Sequence, residues 1–152
     1  MPSSQLTHEA AARVVAAALA KAQELGCASQ VTIAVTDAAG TLMSFVRNDH
    51  RWFQAEIATA KAYSAAQFRR DGTYTGASLD SRASWRTFPN LLSGKIALGE
   101  GGVLLRRTEY HGYHHGLGED VLGAIGVSGA EPAQDEAIAQ AGALAAREDL
   151  PQ

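Results

Sequence analysis

From Thr7 to Leu25 apolar residues return at three- and four-residue steps. They are Ala10, Val14, Val15, Ala18, Leu19, Ala22 and Leu25, with Glu9, Arg13 and Glu24 opposite. That period predicts an amphipathic helix, capped by Thr7 and stopped by Gly26. The pattern then shortens to two β-rich runs, Val31–Thr36 and Leu42–Arg47, on either side of "DAAG". Gly40 there can take the positive φ that a tight hairpin needs. A second helix is predicted over Trp52–Phe68, with Phe53, Ile57, Ala60, Ser64 and Phe68 as its apolar stripe. In "RRDGTYTGASLDSRASWRTFPN" the period is lost. Gly72, Gly76, Pro89 and many Ser/Thr read as a loop-rich stretch, with one short helix around Leu79–Trp85. So long an irregular segment points to function or an oligomer contact. "KIALGEGGVLLRRTEYH" predicts a short strand, a Gly-Gly turn and a strand over Val103–Thr108, and "DVLGAIGVS" predicts another strand. A last helix opens at Pro132 with acidic residues in its first turn. Hairpin links imply an antiparallel sheet with helices packed on it, an α+β fold. A chain of 152 residues suits a single domain over 1–152.

Composition narrows the class. Hydrophobic residues make up 46% and charged residues 19%, an ordinary soluble mix. The formal charge is −3, and no basic run exceeds "RR" at 69–70 and 106–107, which argues against a nucleic-acid partner. "MPSSQLTHEA" has no basic region leading into an apolar core, and "AAARVVAAALA" is too short to span a bilayer, so no membrane partner and a cytoplasmic location are expected. The single cysteine, Cys27, excludes an internal disulfide and reads as a small buried residue.

Chemistry concentrates in "RTEYHGYHHG", residues 107–116, which holds three of the five histidines and two of the four tyrosines. His111, His114 and His115 stand in H-x-x-H-H spacing, which on a helix would present three ligands to a divalent metal. Gly112, Gly116 and Gly118 argue against a helix, so three readings stay open: a metal site, a metal-free acid/base or ligand site, and an exposed loop. In the acid/base reading His111, His114, His115 and Tyr110 form the catalytic set. Tyr113, like Tyr110, could orient a carbonyl or stack on a flat ring, and an iron centre accepts either His or Tyr. Arg47, at the hairpin's end, either pairs with Asp49 or anchors a ligand carboxylate. Lys61, beside the second helix's stripe, either snorkels or neutralises an anionic ligand. Gly101 and Gly102 in "GEGGV" offer backbone N–H groups to a ligand, but without the spacing of a P-loop. Ser128 lacks the second glycine of a nucleophile elbow, since Ala130 stands there, and reads as a strand end.

Four pieces in this order resemble the GlcG/HbpS-like (DUF336) family. They are "AALAKAQELG", "IAVTDAAGTLMSFVRND", "ATAKAYSAAQF", and "GEGGVLL" followed by "VLGAIGVSGAEPAQDEAIAQAG", and together they cover about residues 7–142. The resemblance implies a profilin-like three-layer α/β/α domain with a five-stranded antiparallel sheet, assembled as a homo-oligomer. It implies a small-molecule ligand, haem or a related tetrapyrrole. His8 enters here as a candidate iron ligand, because the first helix borders the haem site in some relatives. A loop histidine is the other candidate, with propionates met by Arg47, Arg69 or Lys61. "RRTEYHGYHHGLGED" departs from the family pattern, being longer and richer in histidine. That departure motivates the alternative, a small catabolic or biosynthetic enzyme. It would carry out isomerase- or lyase-type proton transfer on a carboxylated or aromatic substrate, with or without a divalent metal.

Overall fold

The computed structural model describes residues 5–48, 51–107 and 120–148. Helix α1 runs His8–Glu24, and Thr7 caps it as the sequence predicts: its Oγ1 accepts from Ala10 N at 3.1 Å. Gly26, at φ +74°, turns the chain away in a conformation that glycine adopts without penalty. Thr7→Ala is expected to lower stability by about 1 kcal/mol, read as a shift in the urea midpoint at unchanged slope.

Strands β1 (Thr32–Asp37) and β2 (Leu42–Val46) form the expected hairpin. Asp37 holds the turn, its Oδ1 accepting from both Ala39 N and Thr41 N at 2.9 Å. Strands β3 (Gly102–Arg106) and β4 (Val121–Ser128) complete a sheet of order β2-β1-β4-β3, antiparallel throughout. β4 is buried along its whole length, which is why "VLGAIGVS" reads as an unbroken run of apolar and small residues.

The described residues form four strands, not five. The expected strand at 95–98 is irregular chain whose backbone bonds go elsewhere: Ala97 N donates to Ser64 Oγ at 2.9 Å, and Gly99 N to Gly72 O at 3.0 Å. A segment engaged by helices in this way has no ladder to join.

Helices α1 and α5 (Pro132–Glu148) cover one face of the sheet over Val14, Ile33, Val35, Leu105, Ile125 and Ile138. Helix α2 (Gln54–Phe68) covers the other, which makes a three-layer α+β arrangement. The predicted stripe of α2 is not its buried one. Ala58, Ala62, Ala65 and Ala66 face the sheet, while Phe53 is 60% exposed. Small residues on both surfaces decide this. A Cβ on Gly126 would overlap the Ala58 carbonyl oxygen and lie 2.7 Å from Ala62 N, so helix and strand backbones touch directly.

Residues 72–91 are also more regular than their composition suggests. They form α3 (Gly72–Ser81), a 3-10 turn (Ala83–Thr87) and α4 (Phe88–Leu91). Gly72 serves close approach here, because a Cβ would overlap the Gly99 carbonyl oxygen. Trp85 gathers this region: it stacks on Phe68 (centroids 6.2 Å apart), contacts Phe88 (5.3 Å) and lies under the Arg70 guanidinium (5.1 Å).

Candidate functional site

Register divides the sheet into two ends. At the hairpin end Asp37 pairs with Gly123 and Arg106 with Val121, and Arg107 N donates to Asp120 O at 2.9 Å. The histidine-rich segment leaves the sheet after Arg107 and returns at Asp120. Its candidates Tyr110, His111, Tyr113, His114 and His115 lie outside the described residues, as do Asp49 and His50.

A pocket of about 400 Å³ opens at this same end. Leu6, Met43 and Leu122 supply its apolar lining, and Asp37, Ala38 and Ala39 of the hairpin turn close one side. His8 stands exposed two residues beyond Leu6. Arg69 ends α2 in the left-handed region (φ 54°) and donates from Nη1 to Ala38 O at 2.6 Å. A guanidinium has five N–H donors, so this bond leaves others for a ligand carboxylate. The Arg106 guanidinium lies 3.8 Å from the Asp71 carboxylate, which also accepts from Leu104 N at 2.9 Å and so fixes the root of the segment.

The remaining candidates sit toward the opposite end. Arg47 is exposed just past β2, next to a buried Asn48 whose N and Nδ2 both donate to Thr32 Oγ1 at 3.0 Å. Ser128, at the end of β4 as expected, donates its hydroxyl to Gln54 Oε1. Lys61 is largely enclosed. Its ammonium donates to Val127 O at 2.8 Å and pairs with Asp135 at 3.5 Å, with side chains 12% and 6% exposed. Gly101, at φ +98°, leaves room for that ammonium: an added Cβ would overlap Val127 O and lie 3.1 Å from Lys61 Nζ. Its N–H donates to Glu136 Oε1 at 3.1 Å. Gly102 passes under the Lys61 carbonyl. Lys61, Gly101 and Gly102 thus come together, but as a clamp joining α2, β4 and α5, with the ammonium engaged by protein acceptors.

Electrostatics follow from this enclosure. Burial raises the Asp135 carboxyl above its ordinary value, and the Lys61 charge and the Ala130 N–H pull it partly back. Burial, then the negative charge of Asp135, pushes the Cys27 thiol up, so the buried cysteine is a poor nucleophile. Asp135 escaped notice as Lys61's partner because its position in the first turn of a helix already explained an acid there. Leu6 precedes α1 while Met43 and Leu122 lie on β2 and β4, and no sequence spacing links them.

Among the described residues no group of three His, Cys, Asp or Glu could hold a metal ion. No helix among them is long and apolar enough to cross a membrane.

The model of the family described as haem degrading protein HbpS-like matches residues 6–144. Among solved structures, the Klebsiella pneumoniae protein ORFY is 26% identical, with 96% of this chain and 92% of that one covered at a TM-score of 0.78. HbpS is also 26% identical, over 95% of this chain and 92% of its own, with a TM-score of 0.74. A PduOC:haem complex is 24% identical over 93% and 94%, at 0.74, and shares the fold. A search of curated proteins found no match.

Proposed function

This chain belongs to the HbpS-like family, and from that premise we propose that it is a small-ligand-binding protein whose ligand is haem or a related tetrapyrrole. The observation that carries the reading is a pocket with Leu6, Met43 and Leu122 in its lining, at the end of the sheet where Arg69 holds the Ala38 carbonyl and Arg107 N donates to Asp120 O. At about 400 Å³ the pocket lies in the range of small-molecule sites. The solved PduOC:haem complex, on the same fold, supports the choice of ligand.

The residues present suit such a group. Leu6, Met43 and Leu122 would cover part of a flat apolar face, and Arg69 would meet a propionate by a charge-assisted bond. The iron would be taken by His8 or by one of His111, His114 and His115, while Tyr110 and Tyr113 would stack or hydrogen-bond beside it. Bound haem supplies a redox-active iron centre. The protein's part is to shield one face from water and hold the acidic edge. Arg47 would serve a ligand only at the far end of the sheet. Lys61, Gly101 and Gly102 would act through the clamp. Homo-oligomer formation is part of the same proposal, supported by Trp52 at 73% and Phe53 at 60% exposure.

An absorption titration with haemin tests the reading on wild type, His8→Ala, Arg69→Ala and a triple His111/His114/His115→Ala variant. Wild type is expected to give a saturable Soret shift, lost in one of the histidine variants. Arg69→Ala is expected to weaken binding by roughly tenfold. A wild-type spectrum that is only the sum of its parts would overturn the proposal.

A further inference from the structure

Helix α2 lies over β1, β4 and β3, whereas α1 packs on the other face of β2. One face of the β2 edge is therefore left uncovered. Phe45 pairs with Ala34, which belongs to the α2 side, and Leu42 pairs with Thr36 beyond a shift of register between Val35 and Thr36. Both large side chains stay partly in solvent, at 39% and 47% exposure. Between them and the outer stripe of α2 (Ala55, Thr59, Tyr63) runs a trough of about 480 Å³.

Its polar groups are few. Thr59 is spent on its own helix, donating to Ala55 O at 2.8 Å. The side chains of Glu56, Tyr63 and Lys95 also line the trough, and they make no hydrogen bond or ion pair with any described residue. The Tyr63 ring is set by the hairpin turn: its Cδ2 lies 2.9 Å from where a Cβ on Gly40 would be. Lys95 is tethered at the Tyr63 level, because two residues on Ala97 N donates to Ser64 Oγ at 2.9 Å. Glu56 lies seven residues before Tyr63 on the same helix, about 10 Å along its axis.

An apolar floor thus carries a cation and a hydroxyl at one end and a carboxylate at the other. We propose that the trough is a second small-molecule site, independent of the haem reading. Its ligand is a planar aromatic acid bearing an N–H or O–H donor at the opposite end of the ring. Lys95 takes the carboxylate, with Tyr63 donating to it; Glu56 accepts from the distal donor; Leu42 and Phe45 lie against the ring. Haem suits the trough poorly, since the edge opposite its propionates carries no N–H or O–H donor for Glu56.

Isothermal titration calorimetry with 4-hydroxybenzoate tests the site. One saturable event per chain is expected for wild type. Lys95→Glu, a surface change that spares the core, is expected to weaken it by tenfold or more. Ala60→Phe, which fills the trough, is expected to abolish it. Benzoate, lacking the distal donor, is expected to bind several-fold more weakly than 4-hydroxybenzoate to wild type, and as tightly as 4-hydroxybenzoate to Glu56→Ala, which has no side-chain acceptor. Absence of saturable heat at millimolar ligand would overturn the proposal, as would binding indifferent to both Lys95→Glu and Ala60→Phe in variants that melt like wild type. Displacement of 4-hydroxybenzoate by haemin at one equivalent would merge the two sites and overturn their independence. Failure of haemin to bind leaves this expected result unchanged, so the two proposals stand or fall separately.

Discussion

Gly126→Ala is expected to cost about 3 kcal/mol or more, and Gly126→Val to prevent folding altogether. The added Cβ meets the carbonyl oxygen of Ala58 and the amide of Ala62. Those are backbone atoms of α2, so relief requires the whole helix to lift. Lifting it opens space over Ala34, Leu104 and Ala124 and gives up contacts that small side chains cannot restore. Gly142→Ala is the control. Its Cβ would lie 2.7 Å from Ile125 Cδ1, the far end of a side chain that can turn. A helix interior also favours alanine over glycine by about 1 kcal/mol, so the net cost there is expected to be small. Urea unfolding of both variants gives the comparison. Equal midpoints would mean that α2 does not rest on the β4 backbone.

The second large effect is expected at the clamp. Lys61→Ala leaves Asp135 enclosed without its cation, and breaking such a pair costs about 3–5 kcal/mol. The loss should depend on pH, in a direction the carboxyl's shift dictates. Asp135 holds its proton more tightly folded than unfolded. Its contribution to stability is therefore full below the ordinary carboxylate value and is lost as pH rises through the raised folded value. Lys61 opposes that shift, so removing it raises the folded value further and widens the window of loss. The gap in unfolding free energy between wild type and Lys61→Ala is expected to grow from acid toward neutral pH. A gap that stays constant would show that Asp135 gains enough solvent in the variant to ionise freely. Asp135→Asn in the Lys61→Ala background should flatten the dependence.

Local rules carried the reading of the sequence where the physics is local. Thr7 and Gly26 bound α1 because a cap and a stop act on their own neighbours. The β1–β2 turn follows from an Asp and a Gly three residues apart. The errors came where distant segments decide. The period puts the apolar stripe of α2 on Phe53, Ile57, Ala60, Ser64 and Phe68, yet the β4 glycine across from the helix brings Ala58 and Ala62 against the sheet. Gly72 looked like a loop signal, when it lets Gly99 pass close by, and 95–98 looked like a strand, when Ser64 and Gly72 had already claimed its neighbourhood. The same holds for the candidate site. His8 and the segment around His111 can be picked out by residue type, while the pairing of Arg107 with Asp120 at the segment's two roots follows from the sheet register. Lys61 could be singled out as well, while its ion pair with Asp135 crosses from α2 to α5.

The place of β4 in the sheet has a consequence for synthesis. β1 pairs with β4 across most of the chain's length, Thr32 against Ser128. A nascent chain that has emerged only as far as β3 holds a lone β1–β2 hairpin, and such hairpins are marginal in water. Until Val121–Ser128 clears the ribosome, Ile33 and Val35 have no finished core beneath them, and β1 offers a free edge to any neighbouring chain. Translation stopped anywhere before that strand yields no smaller domain, only a fragment for chaperones and proteases. The chain folds late and as a whole.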